Sequence, residues 1–241
     1  MPPRRSSLVR RHLPATASPD VKLNESTLLT SYQSTATLFI MATSSPNPFT
    51  GHYDENRTAF IALGSNLPSI AGDPAATVRA ASHRLSGLAA LVASSSLYAT
   101  DPVGEVPQPP FVNAVVALHT SLGPEALLQR LMSIEREFGR DRKGPDAAPK
   151  GPRTLDLDIL MMNDLVMNTP ELRVPHPGMA VRRFVLAPLA EIAPGLVHPL
   201  LNKTVAALLA DLPDGGQNSI EAVRVLAPGI MPPSLMGGGR R

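Results

Sequence analysis

Between Gly151 and Leu160 the chain reads GPRTLDLDIL, and this segment restricts the fold more than any other. In an extended strand alternate residues share a face, so Asp156 and Asp158 stand on one side and Leu155, Leu157 and Ile159 on the other. The leucine side needs an apolar core behind it. The aspartate side needs positive charge in front of it, because adjacent carboxylates repel each other unless something neutralises them. Arg153 lies three residues before Asp156, and Arg140 and Arg142 precede it in the same loop. Taken alone, Asp-x-Asp is more often an exposed polar strand face balanced by arginines than a metal site. Paired aspartates with a cluster of guanidiniums are, however, the composition that phosphoryl transfer requires: hard oxygen ligands for magnesium and forked donors for phosphate.

Periodicity supplies the elements around this strand. A strand over 58–63 runs into Gly64-Ser65-Asn66, which reads as a tight turn. Asp73 and Pro74 open a helix over 73–88 with Val78, Ala81, Leu85 and Leu88 on one face. Strands follow at 91–98 and 111–120, and in the second Val112, Ala114, Val116 and Leu118 alternate with Asn113 and His119. Pro124 opens a second helix, with Leu127, Leu128, Leu131, Ile134 and Phe138 buried, that ends near Gly139. A buried strand at 155–162, a helix over 182–192 kinked or capped by Pro188, a short helix at 205–209 and a strand at 223–226 complete an α+β sandwich of sheet and helices.

The 26 prolines crowd into residues 1–50, 101–110 and 227–233, which marks those stretches as loops and tails. The division that follows is an extension over 1–56, a folded domain over 57–226 and a disordered tail or linker stub over 227–241. The extension carries Arg4, Arg5, Arg10, Arg11 and His12 among many Ser and Thr, a composition resembling a mitochondrial transit peptide. A disordered arm, or translation starting at Met41, accounts for it equally, so the compartment reads as mitochondrial or cytoplasmic. With no cysteine, thiolate metal sites are excluded and magnesium is favoured over zinc. A net charge of +2 argues against a nucleic-acid partner, and no apolar run is long enough for a membrane helix.

Six ordered blocks carry a resemblance to a known family: ALGSNL at 62–67, SLYATDPVG at 96–104, PPFVNAVV at 109–116, IEREFGRDR at 134–142, GPRTLDLDIL at 151–160 and VPHPGMAVRRFVLAPLAEIAP at 174–194. Together they resemble the 6-hydroxymethyl-7,8-dihydropterin pyrophosphokinases. The resemblance implies a ferredoxin-like sandwich, a mainly antiparallel sheet flanked by helices. It implies transfer of pyrophosphate from ATP to the pterin alcohol in folate biosynthesis, with AMP leaving and two Mg2+ ions held by Asp156 and Asp158. Arg140 and Arg153 join the two aspartates as catalytic candidates. Carried over in the same way, Glu135, Arg140, Arg142, Arg153, Ile159, Arg173, His176 and Arg182 fall at ATP-binding positions. Gly64, Thr100, Asp101, Val103, Phe111, Asn113 and Phe184 fall at pterin-binding ones. The partners so implied are the two small substrates and other folate-pathway enzymes. A non-catalytic ferredoxin-like binding module is the competing reading, since one such fold hosts many functions.

Overall fold

The computed structural model describes residues 57–102, 107–142, 151–215, 218–219 and 222–228. The expected extension over 1–56 and nearly all of the 227–241 tail lie outside the described residues.

The central strand β1 (Arg57–Ser65) pairs antiparallel with β4 (Phe111–Thr120) on one edge and with β5 (Asp156–Met162) on the other. Along the far edge of β4 lie β2 (Ala90–Ser94) and β3 (Leu97–Thr100), and β10 (Val223–Ala227) closes the sheet beyond β3. Every pairing is antiparallel. The single strand expected at 91–98 is thus two strands, because side chains take over the backbone hydrogen bonds at its centre. Ser95 Oγ accepts Val115 N–H at 2.9 Å, and both Glu191 carboxylate oxygens accept Ser96 N–H at 3.0 Å.

Helices cover both faces. Helix α1 (Pro74–Ser86) starts where Asp73 accepts Ala76 N–H at 2.8 Å, with proline in the first turn where its missing donor costs nothing. Its Val78, Ala81 and Leu85 join Leu127, Leu131 and Ile134 of α2 (Pro124–Glu137) against Ile61, Leu63, Leu157 and Ile159. On the opposite face α3 (Arg183–Ile192) and α4 (Val205–Ala210) pack Leu186, Leu189 and Val205 on Phe60, Val115, Leu160 and Met161. A register shift between Phe60 and Ile61 lets Leu160 and Met161 both point toward α3. Asp156 and Asp158, in phase with Leu160, therefore share the α3 face. Pro188 neither starts nor ends α3, which runs through it to Ile192. Among the described residues no helix is long and apolar enough to cross a membrane.

Two hairpins of two-residue strands carry too little periodicity to read from sequence: β6 (Met167–Asn168) with β7 (Arg173–Val174), and β8 (Val197–His198) with β9 (Lys203–Thr204). The second turns on His198, which is buried and whose Nδ1 accepts N–H groups from Leu200 and Leu201, both at 3.3 Å. Burial pushes His198 down to about 4 from 6.5, so the folded chain resists a proton that the unfolded chain takes up below 6.5. The stability this neutral imidazole contributes is fully present above 6.5 and is lost as pH falls toward 4, by up to about 1.4 kcal/mol per pH unit. Thermal melts at pH 7 and pH 4.5 should show a smaller acid loss in His198→Asn, whose amide oxygen can accept the same N–H groups and cannot protonate. An equal acid loss in both proteins would rule this out.

Candidate active site

Where β1, β4 and β5 end together, the α3 face of the sheet is left uncovered by bulky side chains. Gly64 stands between Asn113 on β4 and Asp156 on β5, and Ala62 lies opposite Asp158. A β-carbon on Gly64 would come within 2.9 Å of Asn113 Oδ1, so this position has room only for glycine. The small residues make the floor of a cavity of about 140 Å³. Thr100, Asp101, Phe111 and Asn113 line one side, Arg153, Asp156 and Asp158 the other, and Arg182 and Phe184 enter from the start of α3. Asn113 Nδ2 donates to Thr100 Oγ1 at 2.6 Å, which fixes the amide orientation. The Arg182 guanidinium packs over Gly178, where a β-carbon would lie 2.7 Å from Arg182 Cζ, and sits 5.8 Å from the Phe184 ring centroid.

The two aspartates are treated differently by their surroundings. Arg140 Nη1 donates to one carboxylate oxygen of Asp156 and Arg153 Nη1 to the other. Burial works to raise Asp156, but Arg153 and Arg140 outweigh it and hold the group below the usual carboxylate range. Asp158 is pushed up to about 6 by burial and then by the charge of Asp156, against the weaker pull of Arg153, Arg140 and Arg182. One carboxylate is satisfied by arginines; the other carries unmet negative charge. Beside them His176 is lowered to about 4, by burial and then by Arg182, with Asp156 acting in the opposite sense. It is neutral at physiological pH. Its Nδ1 accepts Gly178 N–H at 3.1 Å, which places the proton of the neutral ring on Nε2.

A second, larger groove of about 560 Å³ opens on the other side of β5, between Leu128, Gln129 and Met132 of α2 and residues 170–177. Arg142, Ile159 and Arg173 line it, and it shares Asp158 and His176 with the first cavity. Glu135 lies behind these walls rather than in them. It is 1% exposed, accepts Leu157 N–H at 2.9 Å and Arg142 Nε–H at 3.1 Å, and stands 3.5 Å from Arg140. Burial raises it despite Arg140, the Leu157 N–H and Arg142. The structure thus brings most of the residues singled out from sequence around two adjoining spaces, with Arg153 and Arg182 in the smaller one. Arg140 lines neither and stands behind Asp156, and Glu135 is the buried anchor of Arg140 and Arg142. Val103 lies outside the described residues.

Asn66 has a role that its position in the sequence does not reveal. The Gly64-Ser65-Asn66 stretch is more than a turn: Asn66 is 2% exposed, its Oδ1 accepts Arg153 N–H at 2.7 Å, and its Nδ2 donates to Gln108 Oε1 and Pro109 O, both at 3.0 Å. Asn66 N and Leu67 N return hydrogen bonds to Arg153 O at 3.0 and 3.1 Å. One amide thereby joins the segment bearing Arg153 to the segment leading into Phe111. An asparagine directly after a strand signals a turn equally well, so only the structure separates the two roles.

The antiparallel sheet covered by helices on both faces defines an α+β sandwich of ferredoxin-like type. The family model described as 7,8-dihydro-6-hydroxymethylpterin-pyrophosphokinase (HPPK) matches residues 60–194, and the chain belongs to this family. It is 46% identical over 142 residues to the 2-amino-4-hydroxy-6-hydroxymethyldihydropteridine pyrophosphokinase of Pseudomonas aeruginosa, covering 58% of this chain and 83% of that one. To the Bacillus subtilis enzyme of the same name it is 48% identical over 139 residues, covering 57% and 78%. The folic acid synthesis protein fol1 of Schizosaccharomyces pombe is 36% identical over 165 residues, 67% of this chain and 21% of that much longer one. Among solved structures, wild-type Plasmodium falciparum HPPK-DHPS with pteroate shares the fold, with a TM-score of 0.51 at 16% identity over 66% of this chain and 42% of that one.

Proposed function

We propose that this chain transfers pyrophosphate from ATP to the hydroxymethyl group of 6-hydroxymethyl-7,8-dihydropterin, releasing AMP. The observation that carries the reading is the placement of Asp158 and His176 on the shared border of the two spaces. The smaller one, with Phe111, Phe184 and the fixed amide of Asn113, suits a flat heterocycle with donors and acceptors along its edge. The larger one, reaching from Arg142 and Arg173 to Asp158, suits a nucleotide. The pterin oxygen then meets the β-phosphorus beside Asp158, its new bond replacing the bridge to the α-phosphate. His176, neutral and with its proton on Nε2, offers a hydrogen bond to phosphate without adding charge. Asp156 holds Arg153 in the wall of the smaller cavity and Arg140 behind it.

The donor set fits magnesium. Asp156 and Asp158 supply hard oxygens, and Asp158 carries negative charge that its arginine neighbours leave uncompensated. Asp156 and Asp158 would hold the metal together with phosphate oxygens and water. That is how Mg2+ is ordinarily held at nucleotide sites. When bound, the metal supplies charge neutralisation at the transferring phosphates.

Incubation of the chain with ATP, Mg2+ and the pterin alcohol, followed by mass analysis, should give the pterin diphosphate and AMP in equal amounts. Release of ADP with a pterin monophosphate, or no pterin-dependent consumption of ATP, would overturn the assignment.

A further inference from the structure

Beyond α4 the chain returns to the active-site end of the sheet and braces two of the segments that line the smaller cavity. On one wall Ala222 O accepts Asp101 N–H at 3.1 Å, and Val223 of β10 pairs with Thr100. Behind the start of α3, which supplies Arg182 and Phe184 to the cavity, stands Asn218, 8% exposed. Its Oδ1 accepts Arg183 N–H at 3.0 Å, its Nδ2 donates to Val181 O at 3.1 Å, and its backbone carbonyl accepts Arg183 Nε–H at 2.6 Å.

These bonds answer a need of α3. The first N–H groups of a helix have no intrahelical acceptor, and Arg182, at the N-cap position, provides no side-chain cap. Asn218 supplies the missing acceptor from 35 residues away. It also fixes the alternation of three consecutive side chains: Arg183 is drawn to Asn218, while Arg182 and Phe184 on either side of it line the cavity. The residue lies beyond the 60–194 stretch that defines the family.

We propose that Asn218 is a positioning residue for the pterin-side cavity, holding Val181–Arg183 so that Phe184 meets the heterocycle from the α3 side and Arg182, which the resemblance put at an ATP-binding position, faces the same cavity. The inference rests on the reading of that cavity as the pterin site. Arg182 and Phe184 line the smaller cavity but not the groove assigned to the nucleotide, so the effect should divide between the two ligands.

The test is a pair of titrations on the full chain, with 6-hydroxymethylpterin followed by its own fluorescence in the presence of Mg2+ and a non-hydrolysable ATP analogue, and with the analogue and Mg2+ alone. Asn218→Ala should weaken pterin binding roughly tenfold, the equivalent of one lost hydrogen-bonded anchor, and change analogue binding by less than about twofold. Asn218→Asp keeps the acceptor for Arg183 N–H but loses the donor to Val181 O, and should recover part of the pterin affinity. Equal weakening of both ligands, accompanied by a lower melting temperature, would reduce Asn218 to a fold-stabilising residue and overturn the inference. So would unchanged pterin binding in Asn218→Ala. Wild-type protein that binds the analogue but no pterin would instead remove the functional reading, and this inference with it.

Discussion

Asp158→Asn should lower turnover by more than roughly 100-fold, the upper range for loss of a group that merely supports a metal ligand, while leaving the metal-free protein at least as stable as wild type at pH 8. The two halves of this expectation have one cause. Asp158 is pushed up to about 6 because burial and the neighbouring Asp156 disfavour its charge, so ionising it at pH 8 opposes folding. The sign follows from proton linkage: between 3.8 and about 6 the folded chain holds a proton that the unfolded chain has released. This group therefore favours folding in acid, and that contribution is lost as pH rises through the same window. An asparagine removes both the cost and the pH dependence, together with the charge that a metal–phosphate complex would use. Asp156→Asn should behave differently, because it removes the charge and one of the two oxygens that Arg140 and Arg153 bind, and should destabilise the fold by up to about 3 kcal/mol. Denaturant unfolding of both variants beside AMP release separates them. Near wild-type activity in Asp158→Asn would exclude it from the metal and phosphate machinery.

The distinction between the two aspartates could not be read from the sequence. Alternation put them on one face of a strand, and the structure keeps them there, with Leu157 and Ile159 in the opposite core. Which of them the arginines take depends on contacts between strand β5 and residues three and sixteen positions earlier, and no local pattern encodes that choice. The helices were legible for the opposite reason. Val78, Ala81 and Leu85, or Leu127, Leu131 and Ile134, repeat at helical spacing along one uninterrupted segment. The expected strand at 91–98 divides because Ser96 bonds Glu191 across 95 residues of chain and Ser95 bonds Val115 across 20. Asn66 and Asn218 were missed on the same ground: each is a single polar residue whose partners are distant in sequence. Motif resemblance located the side chains that face the two spaces, whereas the residues that aim those side chains came into view only with the fold.

Arg153→Ala should reduce kcat by on the order of 10³, the range found for one well-placed arginine at a transferring phosphate, with a much smaller effect on ATP affinity. Arg153 is firmly placed before any substrate binds. Its backbone N–H donates to Asn66 Oδ1, its carbonyl accepts from Asn66 and Leu67 N–H, and its guanidinium is held by Asp156 with 26% of the side chain exposed. A cation held in this way before substrate arrives needs no ordering when charge develops on the phosphoryl oxygens. The variant should also change the pH profile. Arg153 is the strongest influence holding Asp156 down, so its loss lets burial raise that carboxyl and moves the acid limb of the activity profile to higher pH. Arg153→Lys restores the charge without the planar fork and should recover the acid limb more fully than the rate. Single-turnover rates and nucleotide titrations across pH 5 to 8 would test each part. A variant that lost ATP affinity in proportion to its rate, with an unshifted acid limb, would make Arg153 a ground-state binding residue and leave Arg140 as the arginine that acts on the transition state.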